Sequence, residues 1–125
     1  MKYKVQAIKS PQKPSDPAKF YAKTVWDGEV NLLDLCREIE KISTVSEPDI
    51  MAVLTALVNV VPEKLADSKI VRLGDLGSLR GSLSSEGYEL EKSVSANSIK
   101  RNKVLFQPGQ RVKQSMQNAK YKKVS

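Results

Sequence analysis

Phe106-Gln107-Pro108-Gly109-Gln110-Arg111-Val112-Lys113 brings an alternating, strand-like run to a Pro-Gly break and then opens a basic segment with Val112 and Met116 at helical spacing. Proline removes a donor and fixes φ, while glycine frees the next step, so the pair predicts the end of a strand and the start of a short helix, Gln110 to about Ala119. Upstream, Val71-Arg72-Leu73-Gly74-Asp75-Leu76-Gly77-Ser78-Leu79 predicts the complementary feature, a glycine-containing turn. Its flanking strands would be Ile70 to Leu73 and Ser78 to Leu83, with a return strand from Val94 to Phe106. The polar stretch between them, Ser84 to Asn97, reads as either a long projecting hairpin or a mobile loop.

Before this sheet the apolar period is helical. Leu32, Leu35, Cys36, Ile39 and Ile42 form one stripe from Asn31 to about Ser43. A second helix is expected from Ser46, a capping residue with Asp49 three positions on and Pro48 tolerated in the first turn. Its apolar residues, among them Ile50, Val53, Leu54, Leu57, Val58 and Val60, cover more than one stripe, which calls for a partner subunit. Pro62 removes the bond to the Val58 carbonyl and predicts a kink or break near Val61, with the last turn ending around Asp67. Cys36, the lone cysteine, lies on the first stripe and reads as core.

Residues 1–28 read as two strands, Met1 to Ile8 and Lys19 to Trp26, joined by a proline-rich link from Pro11 to Pro17. Tyr3, Val5 and Ala7 would share one face, and Lys2, Lys4 and Gln6 the other. The organisation expected is therefore an N-terminal β extension over 1–28, a main domain over 29–119 with an arm at 80–104, and a loose basic tail over 120–125.

A chain of 125 residues with 40% hydrophobic content can bury one core. Its net charge of +7 points to an anionic partner: nucleic acid, acidic lipid headgroups or an acidic protein. The charge is uneven. Residues 1–28 hold six Lys/Arg against two Asp/Glu, residues 29–98 seven against twelve, and residues 99–125 eight against none. Lys100, Arg101, Lys103, Arg111, Lys113, Lys120, Lys122 and Lys123 thus fall in one acid-free stretch with Phe106 and Tyr121 interleaved, as a phosphate-binding surface requires. A solvated basic tail is the alternative reading of such a run. With no histidine and one cysteine, a metal site and a disulfide scaffold are not expected. No apolar run approaches the roughly 20 residues of a membrane span and no signal-peptide pattern is seen, so a cytoplasmic protein is expected.

The two motifs, at this separation and behind a two-helix pattern, resemble the bacterial histone-like proteins HU and integration host factor over Asn31 to Gln117. Leu76 and Leu79 stand where that family often has phenylalanine. The N-terminal strands resemble an HU-related subgroup with an extension. The resemblance implies an α+β fold with a two-helix hairpin, a small antiparallel sheet carrying a long β-arm, and a short C-terminal helix, intertwined as a homodimer. It also implies a sheet saddle on double-stranded DNA in the nucleoid, with arms reaching into the minor groove and weak sequence readout. No small-molecule substrate, cofactor or membrane partner is implied, and no enzymatic activity.

Arg80, Lys100, Arg101 and Lys103 at the arm base, with Arg111, Lys113, Lys120, Lys122 and Lys123, are the expected phosphate contacts. The family's Arg-Asn-Pro arm tip is absent; the region reads Glu86-Gly87-Tyr88-Glu89-Leu90-Glu91-Lys92, with Tyr88 or Leu90 as the candidate wedge. Glu89 and Glu91 read as a solvated strand face rather than a catalytic pair. The competing reading is an HU-fold dimer serving as a protein scaffold.

Overall fold

The computed structural model of the chain describes residues 1–124. It divides into two compact units, Asn31–Ser115 and Met1–Val30 together with the residues from Met116 onward. Among the described residues the architecture is α+β, with three α-helices and two three-stranded sheets.

The larger unit opens with helix α1 (Leu32–Ile42), fixed by a reciprocal cap. Asn31 Oδ1 accepts the Asp34 N–H at 2.9 Å, and Asp34 Oδ2 accepts the Asn31 N–H at 3.1 Å. Helix α2 (Glu47–Ala66) starts at Ser46, whose hydroxyl takes the Asp49 N–H. It runs through Pro62 without a break. Of the expected kink or break near Val61, the break is ruled out: proline forfeits one bond, but the helix carries on for another turn past it. The helix then ends through Ser68, at φ +61°, with the Lys69 N–H bonding the Lys64 carbonyl at 3.0 Å.

α1 and α2 pack with Cys36 fully buried and Ile50 nearly so between them. The rest of the apolar surface is thinly covered. Ile42, counted on the α1 stripe, is exposed, and on α2 Val53 and Val58 are 65% and 58% exposed.

The second sheet follows: β3 (Val71–Arg72), β4 (Gly77–Ser85) and β5 (Ile99–Pro108), in that order and antiparallel. Gly74–Leu76 makes a single 3₁₀ turn between β3 and β4. Here the two sequence motifs interlock. The Gly109 N–H bonds the Leu76 carbonyl at 3.0 Å, and a Cβ on Gly109 would lie 2.2 Å from the Asp75 carbonyl oxygen. Gly77, at φ +144°, packs against Phe106 and the Gln107 carbonyl just as closely. Helix α3 (Gln110–Gln117) leaves directly from this junction; it ends short of Ala119, and Met116, expected to point inward, is half exposed.

The hairpin β4–β5 is shorter than expected. Its return strand begins at Ile99, not Val94, because Glu91–Ser93 and Ala96–Ser98 form 3₁₀ turns. Ser95 and Ser98 close the second in a small capping box, and the Glu86 N–H bonds the Ser98 carbonyl at 2.9 Å. Residues 86–98 are thus a structured loop at the end of the arm. Glu89 and Glu91 lie in this loop, so the strand reading of that pair is corrected.

In the smaller unit, β1 (Lys2–Ile8) and β2 (Lys19–Val25) form a seven-pair antiparallel ladder from Lys2–Val25 to Ile8–Lys19. The expected loose tail is in fact paired: β6 (Lys122–Lys123) runs parallel to β1, with the Lys122 N–H to the Met1 carbonyl at 2.9 Å and the Val124 N–H to the Tyr3 carbonyl at 2.8 Å. Ser125, the last residue of that expected segment, lies outside the described residues. Lys2 pairs with the exposed Asp27 beyond the end of β2, and this hydrogen bond and charge hold the Asp27 carboxyl below its usual range. The small stabilisation this gives is present at neutral pH and is lost as pH falls through the lowered value.

Candidate nucleic-acid interface

Side chains alternate across a strand and directly paired residues share a face, so the β4–β5 register sorts the cations. One face carries Leu79, Gly81 and Leu83 opposite Phe106, Val104 and Asn102. It looks onto α2, since a Cβ on Gly81 would meet the Leu65 carbonyl at 3.8 Å. The other face carries Ser78, Arg80, Ser82 and Ser84 opposite Gln107, Leu105, Lys103 and Arg101. Because β3 pairs Arg72 with Ser78, Arg72 joins it.

This second face holds four cations, three of them arginine, and no carboxylate. Arg72, Arg101 and Lys103 are exposed and Arg80 is half-buried. At about 3.4 Å per residue, the six-residue step from the level of Gln107, beside Arg72, to Arg101 spans about 20 Å. A duplex presents about twelve phosphate charges over that length of its axis. The intervening serines are short, and each guanidinium group can grip a phosphate through two parallel bonds.

Of the expected contacts, the structure therefore gathers Arg80, Arg101 and Lys103 on one surface. Lys100 is separated from them. A register shift between Ser84 and Ser85 leaves it unpaired in the ladder, and its ammonium lies 3.4 Å from Glu86 Oε1. Arg111 and Lys113 are both exposed on α3. Two positions apart on a helix they point about 200° away from each other, so they do not form one patch. Lys120, Lys122 and Lys123 belong to the smaller unit. Arg72 was missed by sequence reasoning, although the alternation of Val71-Arg72-Leu73 with the turn that follows was enough to place it opposite the apolar face.

Tyr88 and Leu90 are both exposed in the loop at the end of the arm. Around them stand Glu86, Glu89 and Glu91 against Lys92. Among the described residues no cluster of carboxylate, thiol or imidazole groups could hold a metal ion. Among the described residues no helix is long and apolar enough to cross a membrane.

No protein of curated function matches the sequence. A crystal structure from Bacteroides vulgatus, provisionally described as a bacterial DNA-binding protein, is similar in fold, with a TM-score of 0.62 at 14% identity. The match covers 98% of this chain and 48% of that one, so the chain spans about half the length of the solved structure. Residues 1–123 match the family profile HU-HIG, described as an HU domain fused to a wHTH, Ig or glycine-rich motif. With that match over nearly its whole length, and with the junction of Gly74–Leu79 and Phe106–Lys113 within it, the chain belongs to the HU-HIG family.

Proposed function

We propose that the chain is a non-enzymatic architectural protein that binds duplex DNA as a homodimer, with little regard to sequence, and organises it in the nucleoid. The observation that carries this reading is the carboxylate-free face of Arg72, Arg80, Arg101 and Lys103 on the β3–β4–β5 sheet. Cations fixed on a rigid sheet neutralise phosphates and release counterions, a term that is blind to base identity. Membership of an HU family and the fold of the Bacteroides vulgatus structure support the same reading.

The homodimer rests on α2. Val53, Leu57, Val58 and Val60 are exposed along a helix whose other side already packs on α1 and the sheet. Covering such side chains is worth about 1 kcal/mol or more each. Changing Val53 and Val58 together to glutamate separates the possibilities. For a dimer it buries unpaired charge and abolishes the dimer in sedimentation, whereas for a monomer two exposed substitutions leave stability within about 1 kcal/mol.

The exposed Tyr88 and Leu90 are the apolar groups the arm offers to a groove. Replacing both by alanine is expected to reduce the bend, read by energy transfer between the duplex ends, while leaving the salt dependence of binding unchanged. Neither residue neutralises a phosphate.

The direct test is titration of a fluorescent duplex of about 30 base pairs, intact and nicked, at low and near-physiological salt. Binding that falls steeply with salt and favours the nicked duplex is expected. No binding at low salt would overturn the reading in favour of a protein-scaffold dimer, to which the acidic arm loop is suited.

A further inference from the structure

The smaller unit carries a charge arrangement that sheet stability alone does not call for. By register, one face of β2–β1–β6 collects Lys2, Lys4, Lys19, Lys23 and Lys122. Lys4 stands directly opposite Lys23, and Lys122 beside Lys2. Like charges in direct register destabilise a sheet. Only Lys2 has its charge answered, by Asp27; Lys4, Lys19, Lys23 and Lys122 are exposed, and the strands bring no carboxylate to the face. The same face also carries Gln6, Ile8, Tyr21 and Val25, and the opposite face carries Tyr3, Val5, Ala7, Phe20, Ala22 and Thr24 with one cation, Lys123.

We propose that the lysine face of β2–β1–β6 is a second phosphate-binding surface, which holds duplex DNA independently of the arginine-rich face of the larger unit. This rests on the DNA-binding reading above. A polyanion relieves the Lys4–Lys23 repulsion, so the unfavourable register becomes a binding determinant. Lys19 and Lys23 lie about 13 Å apart along β2, a length over which a duplex offers about eight phosphate charges. A lipid surface fits less well: membrane-surface elements insert a broad apolar face with basic side chains flanking it, whereas the exposed apolar side chains among these five lysines are Ile8 and Tyr21.

The experiment compares the full chain, the variant K4Q/K19Q/K23Q/K122Q, the same four positions changed to arginine, and R80Q/R101Q/K103Q, each bound to a 30-base-pair duplex across about 50–200 mM salt. Glutamine at the four lysines is expected to weaken binding at least 10-fold and make the salt slope shallower by about 3 units or more. Arginine, which keeps the charge, should restore both. The wild-type slope and affinity in the glutamine variant overturn this inference and leave the arginine-rich face as the binding surface. Loss of binding in that variant alone, with R80Q/R101Q/K103Q unaffected, supports the lysine face and removes the arginine-rich one. Unchanged duplex binding with lost adhesion to phosphatidylserine vesicles would assign the face to membranes and overturn the proposal.

Discussion

Changing Gly109 to alanine is expected to destabilise the protein by about 3 kcal/mol or more, lowering the melting temperature by about 10–20 °C. A Cβ at this position would lie 2.2 Å from the Asp75 carbonyl oxygen and 2.9 Å from the Gly77 nitrogen. Both are backbone atoms, one in the 3₁₀ turn and one at the start of β4, so neither can rotate aside as a side chain would. Relief requires Gly109 to withdraw, which breaks its bond to the Leu76 carbonyl and shifts the start of α3. Gly77→Ala should behave similarly, with the added strain of φ +144°. Gly87 supplies the internal control. Nothing lies within 4 Å of a Cβ there, so Gly87→Ala should stay within about 0.5 kcal/mol. Equal melting temperatures for the Gly109 and Gly87 variants would mean that the junction of the two motifs does not hold the sheet to α3.

Replacing Arg80, Arg101 and Lys103 together by glutamine should leave the fold intact and weaken duplex binding at least 10-fold at near-physiological salt. Each phosphate contact contributes about 0.9 to the slope of log affinity against log salt. A monomer losing three contacts would show a slope shallower by about 3, and a symmetric dimer losing six, by about 5. The magnitude thus reports the number of copies on the duplex as well as the identity of the surface. Adding Arg72→Gln should extend the loss by one contact per copy, because the β3–β4 register sets that residue on the same face. A triple variant with the wild-type slope would move the interface elsewhere.

The helices were legible because their signals are local. Asn31 with Asp34, and Ser46 with its first turn, set the starts, and the apolar period set the lengths. The glycine junction was legible as two separate motifs, though only the fold shows that they touch. What escaped was decided by few residues or by distance along the chain. The late start of β5 depends on Ser95 and Ser98 bonding each other, a choice that a polar stretch leaves open. Lys122–Lys123 has little strand propensity of its own and becomes β6 only because β1 offers it an unpaired edge. Within the candidate site, alternation was sufficient for Arg80, Arg101 and Lys103. The grouping failed for Lys100, which its place in the acid-free run puts with the others although it is the neighbour of Arg101 and falls at the register shift between Ser84 and Ser85.

The pairing of β6 with β1 bears on the order of folding. The β1–β2 hairpin needs only residues 2–25 and can close within microseconds once they are available. The Tyr3–Lys123 pairing must close a loop of about 120 residues, an entropy that two paired residues cannot offset. It therefore forms last, after the folding of residues 31–115 has shortened that loop. In refolding followed by pulsed hydrogen exchange, protection at Lys122 and Val124 should accordingly appear last, and in the native protein the same amides should be among the first to open.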